Sequence, residues 1–219
     1  MHFEFLVEGQ AELTALSILL PKILGDYNQP HTWKIHKHRG IGRIPDNPQS
    51  RPNPRDPTLL HNLPSKLRAY GNTGRPDLVV VVLVDLDERP NCVTLKYELV
   101  NLLRYCSQKP KYLVRIAIEE LEAWFLGDQQ AISKAYPQVK QSILNEYIQD
   151  SQCGTWEKLA DAIYPGGLQA LCQHGRRSVR ILEQKRIWAS RICPFIDVQN
   201  NQSPSFQAFC DGVKKMTAI

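Results

Sequence analysis

The chain has 219 residues, 42% hydrophobic and 22% charged, with a formal net charge of +5, which suits one globular domain with or without an extension. No run approaches the roughly 20 apolar residues that span a bilayer, and no basic, apolar, small-residue signal is read at the N-terminus, so a cytoplasmic location is expected. Six cysteines (Cys92, Cys106, Cys153, Cys172, Cys193, Cys210) form no Cys-x-x-Cys pair, which argues against a zinc or dithiol centre and for free thiols.

In chain order, His2 to Val7 predicts a first strand. Leu13, Leu16, Leu20, Ile23 and Leu24 then recur at helical spacing, so Glu8-Gly9-Gln10-Ala11-Glu12 is a turn from strand into helix. Glu8 therefore stands at the carboxyl end of a strand, and Glu12 is equally well read as an acid favourably placed in the first turn of a helix. Thr32 to His38 predicts a second, more polar strand. From Gly40 to Pro57 five prolines forbid regular structure and predict a long loop. Lys34, Lys37, Arg39, Arg43, Arg51 and Arg55 lie in that strand and loop against only Asp46. They are read either as a grip on a phosphate backbone or as the charges of a solvated loop. Thr58 to Tyr70 predicts a helix that Pro64 kinks or restarts.

The stretch Leu78 to Glu88 organises the rest. It reads Leu-Val-Val-Val-Val-Leu-Val-Asp-Leu-Asp-Glu, an apolar, mostly β-branched run that predicts a strand buried on both faces and ending in a polar crevice. Period-two geometry puts Asp85 and Asp87 on one face and turns Leu86 back into packing. Two adjacent carboxylates stay ionised together most simply around a hard, oxygen-loving cation such as Mg²⁺, with helix capping as the plainer alternative. If the strand that ends at Glu8 lies alongside in a parallel sheet, Glu8, Asp85 and Asp87 converge.

A helix follows from about Asn91 to Ser107, with Val93, Leu95, Leu99, Leu102 and Leu103 as its apolar stripe. Tyr112 to Ile118 is then a further strand, ending in Glu119-Glu120-Leu121-Glu122-Ala123-Trp124-Phe125-Leu126-Gly127-Asp128. This strand and helix alternation argues a parallel α/β sheet over residues 1–130, and residues 131–219 read as a mainly helical extension packed on it. In that extension Arg176, Arg177, Arg180, Lys185, Arg186 and Arg191 face only Glu183, on a helix whose apolar positions Val179, Leu182, Ile187 and Trp188 must pack on the sheet, a partner or nucleic acid. Ser203-Pro204 predicts an N-cap and first helical position, with Phe206 and Phe209 turned inward.

The ordered set Glu8-Gly9-x-x-Glu12 and Asp85-x-Asp87 resembles the Toprim fold, shared by topoisomerases, bacterial primases and nucleases of the overcoming-lysogenization-defect type. With Glu120 to Asp128 and Asn201-Gln202-Ser203-Pro204-Ser205-Phe206, nearly the whole chain resembles a bacterial family known as domain of unknown function 4276. The resemblance implies a Toprim-like parallel sheet flanked by helices with a C-terminal helical extension. It implies Asp85 and Asp87 as Mg²⁺ ligands, with Mn²⁺ as an alternative metal, and Glu8 as a further ligand or general acid/base. Glu119, Glu120, Glu122 and Asp128 are candidates for a second metal, with Glu120 and Glu122 favoured equally. Lys37, Arg39, Arg43, Arg176, Arg177 and Arg180 are the candidate nucleic-acid contacts, and DNA is preferred to RNA. The family also implies an AAA-type ATPase partner and a role in defence against phage or foreign DNA, and leaves self-association open. Relatives carry a Tyr-x-Lys-like element in the C-terminal third. Here only Tyr164 and the basic helix stand there, so no catalytic lysine is assigned.

Overall fold

A computed structural model describes residues 1–175 and 178–218. The strand and helix alternation is as expected: β1 (His2–Val7), α1 (Gln10–Leu24), β2 (Thr32–Lys37), α2 (Leu59–Gly71), β3 (Leu78–Asp85), α3 (Cys92–Asn101) and β4 (Lys111–Ala117). After β4 come the short helices α4 (Glu122–Leu126), α5 (Gln129–Ala135) and α6 (Gln141–Asn145), then α7 (Thr155–Ile163), α8 (Gly167–Leu171), α9 (Val179–Ile192) and α10 (Pro204–Thr217). Among the described residues no helix is long and apolar enough to cross a membrane.

All four strands are parallel, in the order β2-β1-β3-β4. Every residue of β3 is buried, because its two faces serve two cores. Val79, Val81 and Leu83 join Phe3, Phe5 and Val7 beneath α1, α9 and α10. Val80, Val82 and Val84 join Leu6 beneath α2 and α3. The connection from β1 runs to one side of the sheet and the connection from β3 to the other, so the strand order reverses between these two neighbours. At such a reversal the crossover helices diverge and leave a crevice beyond the carboxyl ends. Glu8 and Asp85 stand at those two ends.

Three local expectations are corrected. Pro64 neither breaks nor restarts its helix, since α2 runs unbroken through it. Val93 is 69% exposed, and α3 packs through Leu95 and Leu99 alone, because the apolar spacing has two phases and only one meets the sheet. β3 ends at Asp85, and Asp87 takes a left-handed φ of 52°. Strict alternation therefore fails one residue before Asp87, although Leu86 is buried in the second core as expected.

The two stretches that carry the family resemblance pack against each other. Trp124 donates its indole N–H to Ser205 Oγ at 3.2 Å, and Asn201 donates its amide to the Trp124 carbonyl at 2.7 Å. Ser203 caps α10 by accepting from the Phe206 N–H at 3.2 Å, while Phe206 and Phe209 are fully buried. A Cβ on Gly127 would lie 2.2 Å from Asn201 Oδ1, so only glycine permits this closeness. This staple holds α4 and α10 together under the sheet. α9 is anchored separately: the Lys22 ammonium, on α1, donates to the carbonyls of Cys193, Pro194 and Ile196 at 3.1, 2.6 and 3.0 Å. A cation at the carbonyl end of a helix meets the negative pole of its dipole, so the clamp fixes α9 against α1.

Candidate functional site

The crevice opens into a cavity of about 850 Å³ that Glu8, Glu12, Asp85, Asp87, Glu120 and Lys185 line. Glu8 Oε1 accepts from the Asp85 N–H at 2.8 Å, which ties the ends of β1 and β3 together. Glu12 lies in the first turn of α1 and is 7% exposed, and Asp85 is 9% exposed. Glu120 and Glu122 arrive from the segment after β4. Their Oε2 atoms accept from the Lys185 ammonium at 2.9 and 3.3 Å. The ammonium also lies 5.6 Å from the centroid of the Trp156 ring, within cation–π range.

One lysine does not balance this many acids. Burial, followed by the charges of Glu12 and Asp87, pushes the Glu8 pKa up to about 8 against the opposing Asp85 N–H. Burial and then Glu8, Glu12 and Glu120 raise Asp85 well above the carboxylate range. Burial also raises Glu12, and burial with Glu122 pushes Glu120 up to about 8. Burial would lower Lys185, but Glu122, Glu120 and Asp85 outweigh it and keep the ammonium charged. Asp85 Oδ1 and Glu122 Oε1 are buried with no hydrogen-bond partner. Hard oxygen donors held in excess, two of them unpartnered, are the donor chemistry a divalent cation takes. Among the described residues, however, no three His, Cys, Asp or Glu side chains are gathered closely enough to hold a metal ion.

A family model described as Domain of unknown function (DUF4276) matches residues 7–214. The chain belongs to that family. No curated protein and no solved structure gives a significant match.

In this DUF4276 protein the residues singled out in the sequence divide into groups. Glu8, Asp85, Asp87 and Glu120 line the one cavity, Asp87 at its rim with Arg89 Nη1 at 3.1 Å from its carboxylate. Glu122 reaches the same ammonium from behind and is 1% exposed. Asp128 is not brought there: its Oδ1 caps α5 through the Ala131 N–H at 2.9 Å and its Oδ2 accepts from the Asp197 N–H at 2.8 Å. Glu119 likewise accepts from the N–H groups of Gly154 and Thr155 at 2.9 and 3.0 Å, at the start of α7. Lys37 and Arg39 line the same cavity. Arg43 is exposed on the loop beyond, and Arg180 donates to the Tyr164 hydroxyl at 2.9 Å. Arg176 and Arg177 lie outside the described residues.

Lys185 is the site residue to which the sequence reading gave no role. Val179 and Leu182, read there as packing positions, are 79% and 66% exposed. The buried face of α9 is instead Ile181, Trp188, Ala189 and Ile192. Positions 181, 185, 188 and 192 share one helical stripe. A lysine in the middle of that stripe, among outward-facing arginines, is the signal that marks it.

Proposed function

We propose that this protein is a Mg²⁺-dependent phosphodiesterase acting on nucleic acid, either alone or as the nuclease subunit of an assembly with an AAA-type ATPase. The observation that carries this reading is the meeting of Glu8 and Asp85, with Asp87 at the rim, at the point where strand order reverses, in a cavity that Lys37 and Arg39 also line. Asp85 and Asp87 would hold the metal, with Glu8 either as a further ligand or as the general acid or base. When bound, Mg²⁺ lowers the pKa of a water and neutralises charge that develops on phosphate oxygens. Glu8, shifted up to about 8, holds or releases a proton near neutral pH, which suits a general acid or base. Lys37 and Arg39 would bind the phosphates flanking the scissile bond and keep the backbone in register with the carboxylates. The ATPase partner, a role in defence against foreign DNA, and the preference for DNA over RNA rest on the Toprim-like resemblance of the motifs.

The test is cleavage of plasmid DNA and of total tRNA by the purified protein in Mg²⁺ or Mn²⁺, with and without the neighbouring ATPase, beside Asp85→Ala. Cutting that Asp85→Ala loses while staying folded supports the reading. Absence of cutting in every combination favours a second reading, a non-catalytic subunit that binds nucleic acid or the ATPase. The ion pairs that already engage Glu120 and Glu122 support that alternative.

A further inference from the structure

We propose that the Lys185 ammonium fills, permanently, the position beside Glu120 and Glu122 that a second divalent cation would otherwise take. The crevice then loads one divalent cation, on the side of Glu8, Asp85 and Asp87. This inference rests on the metal reading above and deepens it by fixing the metal count.

Three observations carry it. First, the ammonium sits between the two carboxylates at 2.9 and 3.3 Å, distances that suit N–H donors. Mg²⁺ binds oxygen at about 2.0–2.1 Å, so a metal in that gap would have to draw both carboxylates inward while expelling the ammonium. Second, the lysine has no easy retreat. Its helix packs Ile181, Trp188 and Ile192 into the core, the clamp of Lys22 on three carbonyls holds the far end, and Trp156 flanks the charge. Only the side chain itself can move, and moving it would leave Glu122, which is 1% exposed, without a counter-charge. Third, the unpartnered oxygens differ in setting. Asp85 Oδ1 belongs to a residue that lines the open cavity next to Glu8, whereas Glu122 is absent from the cavity wall and lies behind the lysine. The unpartnered oxygen that belongs to a cavity-lining residue is therefore on the Asp85 side.

The experiment is Mn²⁺ binding to the full chain, measured by equilibrium dialysis and by the loss of the free-ion electron paramagnetic resonance signal. Wild type is expected to bind one Mn²⁺ per chain, and Lys185→Arg to keep one. Lys185→Met is expected to bind two, because Glu120 and Glu122 become free for a metal. Glu120→Gln is expected to keep one, with affinity within about threefold of wild type. Two ions bound by wild type would overturn the inference and leave the metal reading intact. So would a folded Lys185→Met protein that stays at one, or loss of the single site in Glu120→Gln. No Mn²⁺ bound by wild type would overturn both. If Lys185→Met does not fold, the wild-type count and Glu120→Gln decide the matter.

Discussion

Glu4 and Glu8 lie four residues apart on the same strand segment, yet the molecule treats them in opposite ways. Glu4 is matched on every side: His2 Nε2 lies 3.1 Å from one oxygen, His36 Nε2 contacts the other, and the Tyr70 hydroxyl donates at 3.4 Å. Burial would raise its pKa, but His36 and His2 outweigh burial and leave it below the usual value. Glu8 accepts from one backbone N–H, and burial with the charges of Glu12 and Asp87 outweighs that bond and Arg89, so its pKa rises to about 8. A carboxylate whose surroundings complete it serves the fold. One held among like charges costs stability in isolation, and such an arrangement is retained where something from outside completes it.

The largest expected effect separates the two clusters by activity. Asp85→Asn should lower cleavage by about a thousandfold or more, the scale seen when a group that stabilises the transition state is removed, whereas Glu4→Gln should leave cleavage within about twofold. Equal losses in both variants, measured by initial rates on a fluorescent DNA substrate, would erase the distinction.

Stability should change with opposite signs. Glu4→Gln is expected to destabilise the protein by about 1–3 kcal/mol, because two histidines lose a charged acceptor. In EDTA, Asp85→Asn should stabilise it by about 1 kcal/mol, because it removes a carboxyl that burial and the charges of Glu8, Glu12 and Glu120 make costly to ionise. Urea midpoints in chelator read both.

The pH dependence sharpens the contrast. Glu8 holds its proton in the fold up to about 8, while in the unfolded chain it ionises near 4.5. The folded state binds the extra proton across that window, so stability without metal should fall as pH rises from about 4.5 to about 8. Glu4 works the other way. Its folded pKa is lowered, so its contribution is present above the unfolded value and is lost as pH falls through the folded one. A metal-free urea midpoint that rises between pH 5 and 8, or a slope that Glu8→Gln leaves unchanged, would contradict this assignment. The smallest effect belongs to Tyr70→Phe. Its 3.4 Å contact with Glu4 is long, and its loss should cost no more than about 0.5 kcal/mol by thermal melting.

What the sequence made legible follows from the range of the signals. The parallel sheet, the strand ends at Glu8 and Asp85, and the cap at Ser203 are local patterns of apolar runs and turn chemistry, and each is found where its pattern points. Asp87 needed the length of β3 to be known to one residue, and a turn at that residue decides its direction. Glu12 was equally readable as a first-turn acid, because its burial comes from a cavity wall built by distant segments. Lys185 was hardest. Its place depends on which of two apolar phases of α9 meets α1, and that is settled by packing across more than 150 residues of sequence.

The separation of Lys185 from its partners also sets a timetable. Glu122 and Lys185 are 63 residues apart. At about 5–20 residues per second, synthesis leaves roughly 3–13 seconds in which the acids of the crevice have been made and their ammonium has not. During that interval Glu120 and Glu122 lack the ammonium that pairs with them in the finished fold. Arrival of α9 is the event that completes the crevice.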